Sequence, residues 1–224
     1  MRPVRALAAL LLVLALAPPL HCAAAPFAVQ LGDTKVGLDA PPGFSDTNFT
    51  GSPRLQELGE ALTSASNRVL LFAITDADLR RFMTGEQLEL RRYMIVVTPR
   101  GLEHQRVTEA MFKQFVGDSV RELGDAPVST EYQQYLDDRP TGTMNLLAEL
   151  RKDPDAVSVL QGTRSKGGFF ERSQYLLSTT TLMLLRGRAL NLAVYTRYEG
   201  PADVDWIRAT TARWIDELKR LNSR

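Results

Sequence analysis

The chain has 224 residues, of which 44% are hydrophobic and 24% charged, with 15 glycines and 12 prolines. This composition predicts a globular protein with one well-buried core, and it excludes disordered, collagen-like and disulfide-scaffold classes. The 27 basic and 26 acidic residues nearly cancel, so no net field favours nucleic acid or an anionic membrane as a partner.

Residues 1–24 have the order of segments that is typical of a cleaved secretory signal peptide. Two arginines give a positive start, an apolar run covers Ala6–Ala17, and small residues follow. The run is about a dozen residues, below the roughly 20 that span a bilayer as a helix. We therefore expect cleavage after Ala24, a periplasmic or secreted location in a bacterial envelope, and one domain without a membrane span over residues 25–224.

Removal of this segment would also change the chemistry of the chain. It takes away Cys22, the only cysteine, and His21, which leaves His104 as the single imidazole. We therefore expect no thiol chemistry, no metal centre and no cofactor in the mature chain. An alternative is a lipid-tethered protein modified on Cys22, which lies just after the apolar run.

The mature chain begins with a predicted β-hairpin. Phe27–Leu31 and Lys35–Asp39 are β-type runs, and Gly32-Asp33 between them is a natural turn pair. Pro41-Pro42-Gly43 ends the second strand, and residues 44–52 are expected to form a loop.

A helix, a strand and a second helix are predicted next. Ser52 and Pro53 suit the cap and the first position of a helix. Val69–Ile74 is rich in strand formers, and the residues from Thr75 can cap a short helix that ends at Met83.

The following strand is predicted over Leu88–Thr98, with Tyr93–Val97 as its buried centre. A helix over Thr108–Leu123 follows it, and Gly124 fits the end of that helix. Apolar residues recur at helical spacing and predict one buried side, which includes Met111, Phe112, Phe115 and Val116.

Residues 125–156 give an ambiguous pattern. The segment 132–136 fits a short helix or a strand, whereas Asn145–Arg151 is predicted to be helical. Beyond this segment, turns that carry glycine at 162–168 and 186–188 are expected to separate successive antiparallel strands. These strands are Val157–Gln161, Phe169–Leu177, Thr179–Leu185 and Leu190–Arg197.

The chain closes with a predicted helix over Pro201–Leu221, with acidic residues in its first turn and basic residues in its last, as the helix dipole favours. Strands joined mainly by hairpin turns, with helices between other strands, predict an α+β fold. The expected architecture is a meander-rich antiparallel β-sheet covered by helices, with a long C-terminal helix.

This order of elements resembles the PsbP-like α/β/α sandwich, which recurs in exported bacterial proteins, including the periplasmic DcrB type. The resemblance covers about residues 27–221 and includes Pro42-Gly43-Phe44 after the hairpin, a meander ending at Tyr195 and a closing helix with tryptophan. It implies a helper or binding protein without catalysis, and it transfers no functional residues.

Two segments contain residue types that catalytic or phosphate-binding sites use, but neither predicts catalysis. His104 follows Glu103 in a polar loop, and no G-x-S-x-G nucleophile motif accompanies it. The run 162–168 is rich in glycine, but Lys166 precedes a glycine where a phosphate loop requires Ser or Thr after the lysine. We therefore expect an exposed histidine and a polar hairpin tip.

Aromatic residues near the C-terminus give the candidate ligand site. Trp206 and Trp214 are roughly 80° apart around the helix axis, so Trp214 can lie in the core while Trp206 lies at its edge. Trp206 and Tyr198 could then line a groove for a ligand or partner, with core packing of both as the alternative.

The leading hypothesis is a non-catalytic exported protein that binds an unknown protein or small ligand in the cell envelope. It depends on the signal segment and on the scarcity of catalytic residue types. The alternatives are an envelope hydrolase that uses Ser, Asp or Glu groups, and the lipid-tethered accessory protein modified on Cys22.

Overall fold

The computed structural model describes residues 26–121, 123–165 and 174–223. Its strands are β1 (Phe27–Leu31), β2 (Thr34–Leu38), β3 (Phe44–Asp46), β4 (Asn67–Thr75), β5 (Arg92–Pro99), β6 (Asn145–Asp153), β7 (Ala156–Ser165), β8 (Gln174–Leu185) and β9 (Arg188–Tyr198). Its helices are α1 (Pro53–Ala61), α2 (Asp76–Met83), α3 (Glu109–Arg121), α4 (Tyr132–Asp137) and α5 (Pro201–Asn222).

Seven of these strands form one antiparallel sheet in the order β3-β4-β5-β9-β8-β7-β6, and β1 and β2 form a separate hairpin. The long helix α5 packs against β8, β9 and β2. The predicted α+β fold, an antiparallel sheet with helices and a long C-terminal helix, is therefore confirmed. None of the helices in the described ranges is long and apolar enough to cross a membrane.

Successive side chains along each strand point to opposite faces of the sheet, so both faces carry apolar residues. Helices and the hairpin cover these two faces. On one face, Met94 and Leu192 pack with Trp214 of α5 and with the β1–β2 hairpin in the main core; we call this the α5 face. On the other face, Phe72 and Tyr93 pack under α1 and α2. Helix α3 covers a further part of that second face.

Several local predictions are confirmed. The hairpin turns at Gly32-Asp33, where Gly32 has a φ of +54°. Helix α1 begins at Pro53 with Ser52 at the cap position, although the Ser52 side chain makes no capping hydrogen bond. The side chain of Thr75 accepts a hydrogen bond from the backbone N–H of Asp78, and α2 ends at Met83.

The prediction of a helix over Asn145–Arg151 is wrong, because these residues form the edge strand β6. Pro154 and Asp155 make a two-residue turn into β7, which places β6 directly along β7. The backbone N–H and C=O groups along the edge of β7 need hydrogen-bond partners, and only an extended neighbouring strand supplies them. Strand pairing therefore overrides the helix propensity of leucine and glutamate in this segment.

The predicted turn at Gly162 and the predicted break between strands at Ser178 are also wrong. Gly162 lies inside β7 and Ser178 inside β8. A Cβ atom at Gly162 would lie 2.8 Å from Leu147 Cδ1 and 2.9 Å from Leu136 Cδ1. Glycine is therefore needed there for close packing and not for a turn. Residues 166–173, with the predicted hairpin tip and the start of its second strand, lie outside the described residues.

Three other segments differ in part from expectation. Residues 44–52 contain β3 and a short 3-10 turn instead of an open loop. The strand expected from Leu88 begins only at Arg92, because Leu90 has a φ of +46° that interrupts an extended chain. On α3, Phe112 is buried, but Met111 and Phe115 are 48% and 42% exposed.

Candidate functional site

A cleft of about 800 Å³ opens where the β1–β2 hairpin meets the β3 edge of the main sheet. We call it the hairpin cleft. Its lining comes from β1, from the segment that joins the hairpin to β3, from β3 itself, from the 3-10 turn and from α2. The lining residues that the site chemistry depends on are Phe27, Asp39, Phe44, Ser45, Asp46, Phe49, Asp76, Leu79 and Arg80.

The wall formed by the hairpin is fixed to α5 by side-chain hydrogen bonds. Trp214 Nε1 donates to the backbone oxygen of Asp39 over 2.8 Å. Asn222 accepts from the backbone N–H of Gly37 over 2.8 Å and donates to its carbonyl oxygen over 2.9 Å. The position of this wall therefore depends on the C-terminal helix.

The opposite wall is the end of the main sheet. Strand β3 pairs with the last residues of β4, directly before α2 begins. Ser45 Oγ donates to Asp76 Oδ1 over 2.7 Å, and the backbone N–H of Asp76 donates to the oxygen of Gly43 over 3.0 Å. Gly43 has a φ of +89°, which favours glycine at this turn.

Most of the lining is apolar, and three phenylalanines contribute to it. Phe44 is buried and contacts the ring of Trp206, with 6.2 Å between the ring centroids. Phe27 is half-buried against the main core. Phe49 differs from both, because 68% of its surface is exposed.

Three carboxylates share this apolar cleft with one guanidinium group. Asp39, Asp46 and Asp76 line it together with the exposed Arg80. Among the residues that the structure describes, none of these three carboxylates lies within 4.0 Å of a basic group. Burial raises the pKa of the Asp39 carboxyl, and the nearby Glu217 adds to this effect, whereas a backbone hydrogen bond from Ala40 and the charge of Arg220 offset part of it.

Asp46 is the most buried of the three carboxylates, with 8% of its surface exposed. It accepts hydrogen bonds from the backbone N–H of Asn48 over 3.2 Å and from Asn48 Nδ2 over 3.4 Å. Burial raises the pKa of Asp46, and these hydrogen bonds offset only part of that effect. The cleft therefore holds negative charge that its own residues neutralise incompletely.

The predicted groove residues Trp206 and Tyr198 have different neighbours. The ring of Trp206 lies 4.0 Å from the Arg92 guanidinium and next to Phe44, so it supports the hairpin cleft from behind. Tyr198 lines a smaller pocket of about 240 Å³, together with Tyr132 and Arg208. The groove formed by Tyr198 and Trp206 stays a prediction.

The remaining sequence candidates contribute nothing to the cleft. His104 lies exposed in the turn after the 3-10 segment Arg100–Leu102. Cys22, the candidate lipid attachment point, lies outside the described residues together with the whole segment 1–24. Within the described part of the chain, no group of three or more His, Cys, Asp or Glu side chains could hold a metal ion.

A second apolar groove, of about 610 Å³, lies between α3 and the β6–β7 turn. Phe112 and Val116 of α3 line it, opposite Pro154 and Val157. Its charged residues are of both signs, with Lys113 and Lys152 beside Glu109 and Asp153. It therefore lacks the excess of carboxylates that distinguishes the hairpin cleft.

Sequence reasoning did not predict the cleft residues. The three aspartates and Phe49 belong to separate turns, and no motif connects them. The one local signal was the run Pro41-Pro42-Gly43, which indicates a rigid chain reversal beside the polar segment that follows.

Comparisons with known proteins do not identify a family. No family model matches the chain, and no curated protein matches it. Among solved structures, the chain is similar to the Ran-binding protein Mog1p of Saccharomyces cerevisiae, with 13% sequence identity and a TM-score of 0.40 over 88% of this chain and 93% of that one. A TM-score of 0.40 does not establish a common fold, so a function has to be argued from the site.

Proposed function

We propose that this protein is a non-catalytic binding protein of the bacterial envelope, and that its ligand occupies the hairpin cleft. The signal-like composition of residues 1–24 supports export. The order of elements, with helices on both faces of an antiparallel sheet, supports membership of the PsbP-like proteins.

The observation that carries the proposal is the position of Phe49. A phenylalanine that is 68% exposed stands on the lining of a mainly apolar cleft of about 800 Å³. Clefts of a few hundred to about a thousand Å³, with aromatic lining and a few polar groups, are typical of small-molecule sites. A bound ligand would cover Phe49 and remove its apolar surface from water.

The polar groups of the cleft support binding more than catalysis. The Ser45 hydroxyl donates a hydrogen bond directly to the Asp76 carboxylate, so no imidazole lies between the two groups. His104, the single imidazole of residues 25–224, is not part of the lining. A serine nucleophile is normally activated by an adjacent general base that can carry its proton away.

The proposal is tested by native mass spectrometry of the protein purified gently from its own host. We expect a non-covalent small-molecule adduct on the wild-type protein, and we expect Phe49→Ser to lose most of it. Removal of one aromatic contact of this kind weakens binding by about 1–2 kcal/mol, a change in affinity of roughly fivefold to thirtyfold.

Met83→Ser is the matched control, because Met83 is 72% exposed and is not part of the cleft lining. The control should retain the adduct at the wild-type level. A wild-type protein without any adduct, or an adduct that Phe49→Ser retains as well as Met83→Ser does, would refute the hairpin cleft as the binding site.

A further inference from the structure

We infer that the hairpin cleft selects a small organic cation with an apolar, aromatic body. This inference rests on the proposed function and specifies the chemical class of its ligand. It depends on three features of the lining: the excess of carboxylates, the burial of Asp46, and the phenylalanines that surround them.

The first feature is the charge of the lining. Asp39, Asp46 and Asp76 contribute three carboxylates, whereas Arg80 contributes one guanidinium. Arg80 is exposed on α2, so water screens its charge. Asp76 accepts a hydrogen bond from the Ser45 hydroxyl, which is a neutral donor and leaves the negative charge of Asp76 in place. The net charge of the lining therefore favours a positive ligand.

The second feature is the burial of Asp46. A buried carboxylate is costly unless a positive charge or strong hydrogen bonds compensate for its lost hydration. The donors to Asp46 in the described structure are all neutral: the backbone N–H groups of Asn48, Phe72 and Thr47, and Asn48 Nδ2, whose bond is 3.4 Å. A cationic ligand would supply the missing compensation, whereas an anionic ligand would increase the cost.

The third feature is the aromatic surface beside these charges. Phe27, Phe44 and Phe49 line the same cleft. Phenyl rings bury an apolar ligand body and also attract a cation to their faces. A hydrated metal ion would gain nothing from this surface, and the described residues hold no metal-ligating cluster. The combination favours an organic cation over an inorganic one.

The test compares three ligands that share one body and differ in charge: 4-phenylbutylammonium, 4-phenylbutanol and 4-phenylbutyrate. Their affinities for the purified wild-type protein are measured by isothermal titration calorimetry at neutral pH. We expect the ammonium compound to bind about tenfold tighter than the alcohol, and the carboxylate compound to bind weakest.

Charge variants then connect this preference to the cleft. Asp39→Asn and Asp46→Asn should each weaken the ammonium compound about tenfold and leave the alcohol within about twofold. The matched control is Asp138→Asn, since Asp138 is exposed and is not part of the cleft lining. The control should leave all three affinities unchanged.

The outcomes separate the two proposals. Equal affinity for the alcohol and the ammonium compound, both reduced by Phe49→Ser, would overturn the cation class and leave the cleft as an apolar binding site. Preference for the ammonium compound that survives both aspartate variants would also overturn the inference. No measurable binding of any of the three compounds would overturn the cation class, and an adduct that Phe49→Ser loses in native mass spectrometry would then leave the proposed function standing.

Discussion

Asp46 combines a buried position with a carboxylate that no basic side chain of the described residues approaches within 4.0 Å. Burial raises the pKa of its carboxyl above the usual value of 3.8. The folded state therefore binds this proton more tightly than the unfolded state does. The folded state is more stable with Asp46 protonated than with Asp46 charged, and this stabilisation is lost as the pH rises through the raised pKa. At neutral pH the charged carboxylate therefore lowers the free energy of unfolding.

We predict that Asp46→Asn raises the free energy of unfolding at neutral pH by about 1 kcal/mol. Asparagine carries no charge and keeps one oxygen that can accept from the backbone N–H of Asn48, while its amide nitrogen replaces the oxygen that accepts from Asn48 Nδ2. The gain should fade as the pH is lowered through the raised pKa, because the wild-type carboxyl then becomes protonated. Urea unfolding from about pH 7 down to about pH 4 measures this dependence.

Asp138→Asn serves again as the control, and it should change stability by less than about 0.5 kcal/mol. An Asp46→Asn variant that is less stable than the wild type at neutral pH would contradict the account. A more stable variant that binds cations less well would show that Asp46 is retained for binding at the expense of stability.

At the scale of elements, the β1–β2 hairpin depends on one buried arginine. Arg188, the first residue of β9, is 2% exposed. Its guanidinium donates to the backbone oxygen of Gln105 over 2.7 Å, to Thr34 Oγ1 over 3.3 Å and to the Asp33 carboxylate. This group therefore ties the tip of the hairpin to the main sheet.

We predict that Arg188→Met loosens the hairpin and lowers the free energy of unfolding by about 1–3 kcal/mol. The expected loss stays in that range because Asp33 is largely exposed and regains water when its partner is removed. Hydrogen exchange should become faster at the amides of β1 and β2, while the amides of β4 and β5 keep their protection.

Arg186→Met, in the β8–β9 turn two residues before Arg188, is the matched control because Arg186 is exposed. Its exchange pattern should remain that of the wild type. If Arg188→Met leaves the exchange of β1 and β2 unchanged, the hairpin is held by its contacts with α5 alone.

Sequence patterns predicted those elements that local chemistry determines. The turn at Gly32-Asp33 and the cap at Thr75 need only neighbouring residues. The strand β6 needs β7 beside it, so its helix-forming composition gave the wrong prediction. The helical spacing correctly predicted helix α3. Spacing alone cannot show how many of its apolar side chains are buried by other elements, and Phe115 is exposed.

At the scale of the whole molecule, the hairpin cleft is a product of tertiary structure. Its aspartates come from the end of the hairpin, from β3 and from the first turn of α2. Trp214 near the C-terminus holds the Asp39 wall, and Trp206 supports Phe44. Periodicity and motifs depend on residues that are close along the chain. They therefore cannot predict a site whose residues come from distant turns.

The most direct test of the account is amide chemical-shift mapping of the isotope-labelled protein with 4-phenylbutylammonium. The account predicts shifts concentrated at residues 39–49 and 76–80, with no change around the second groove at 109–117 and 152–157. Shifts concentrated at that second groove, or spread over the surface without a focus, would contradict the hairpin cleft as the binding site.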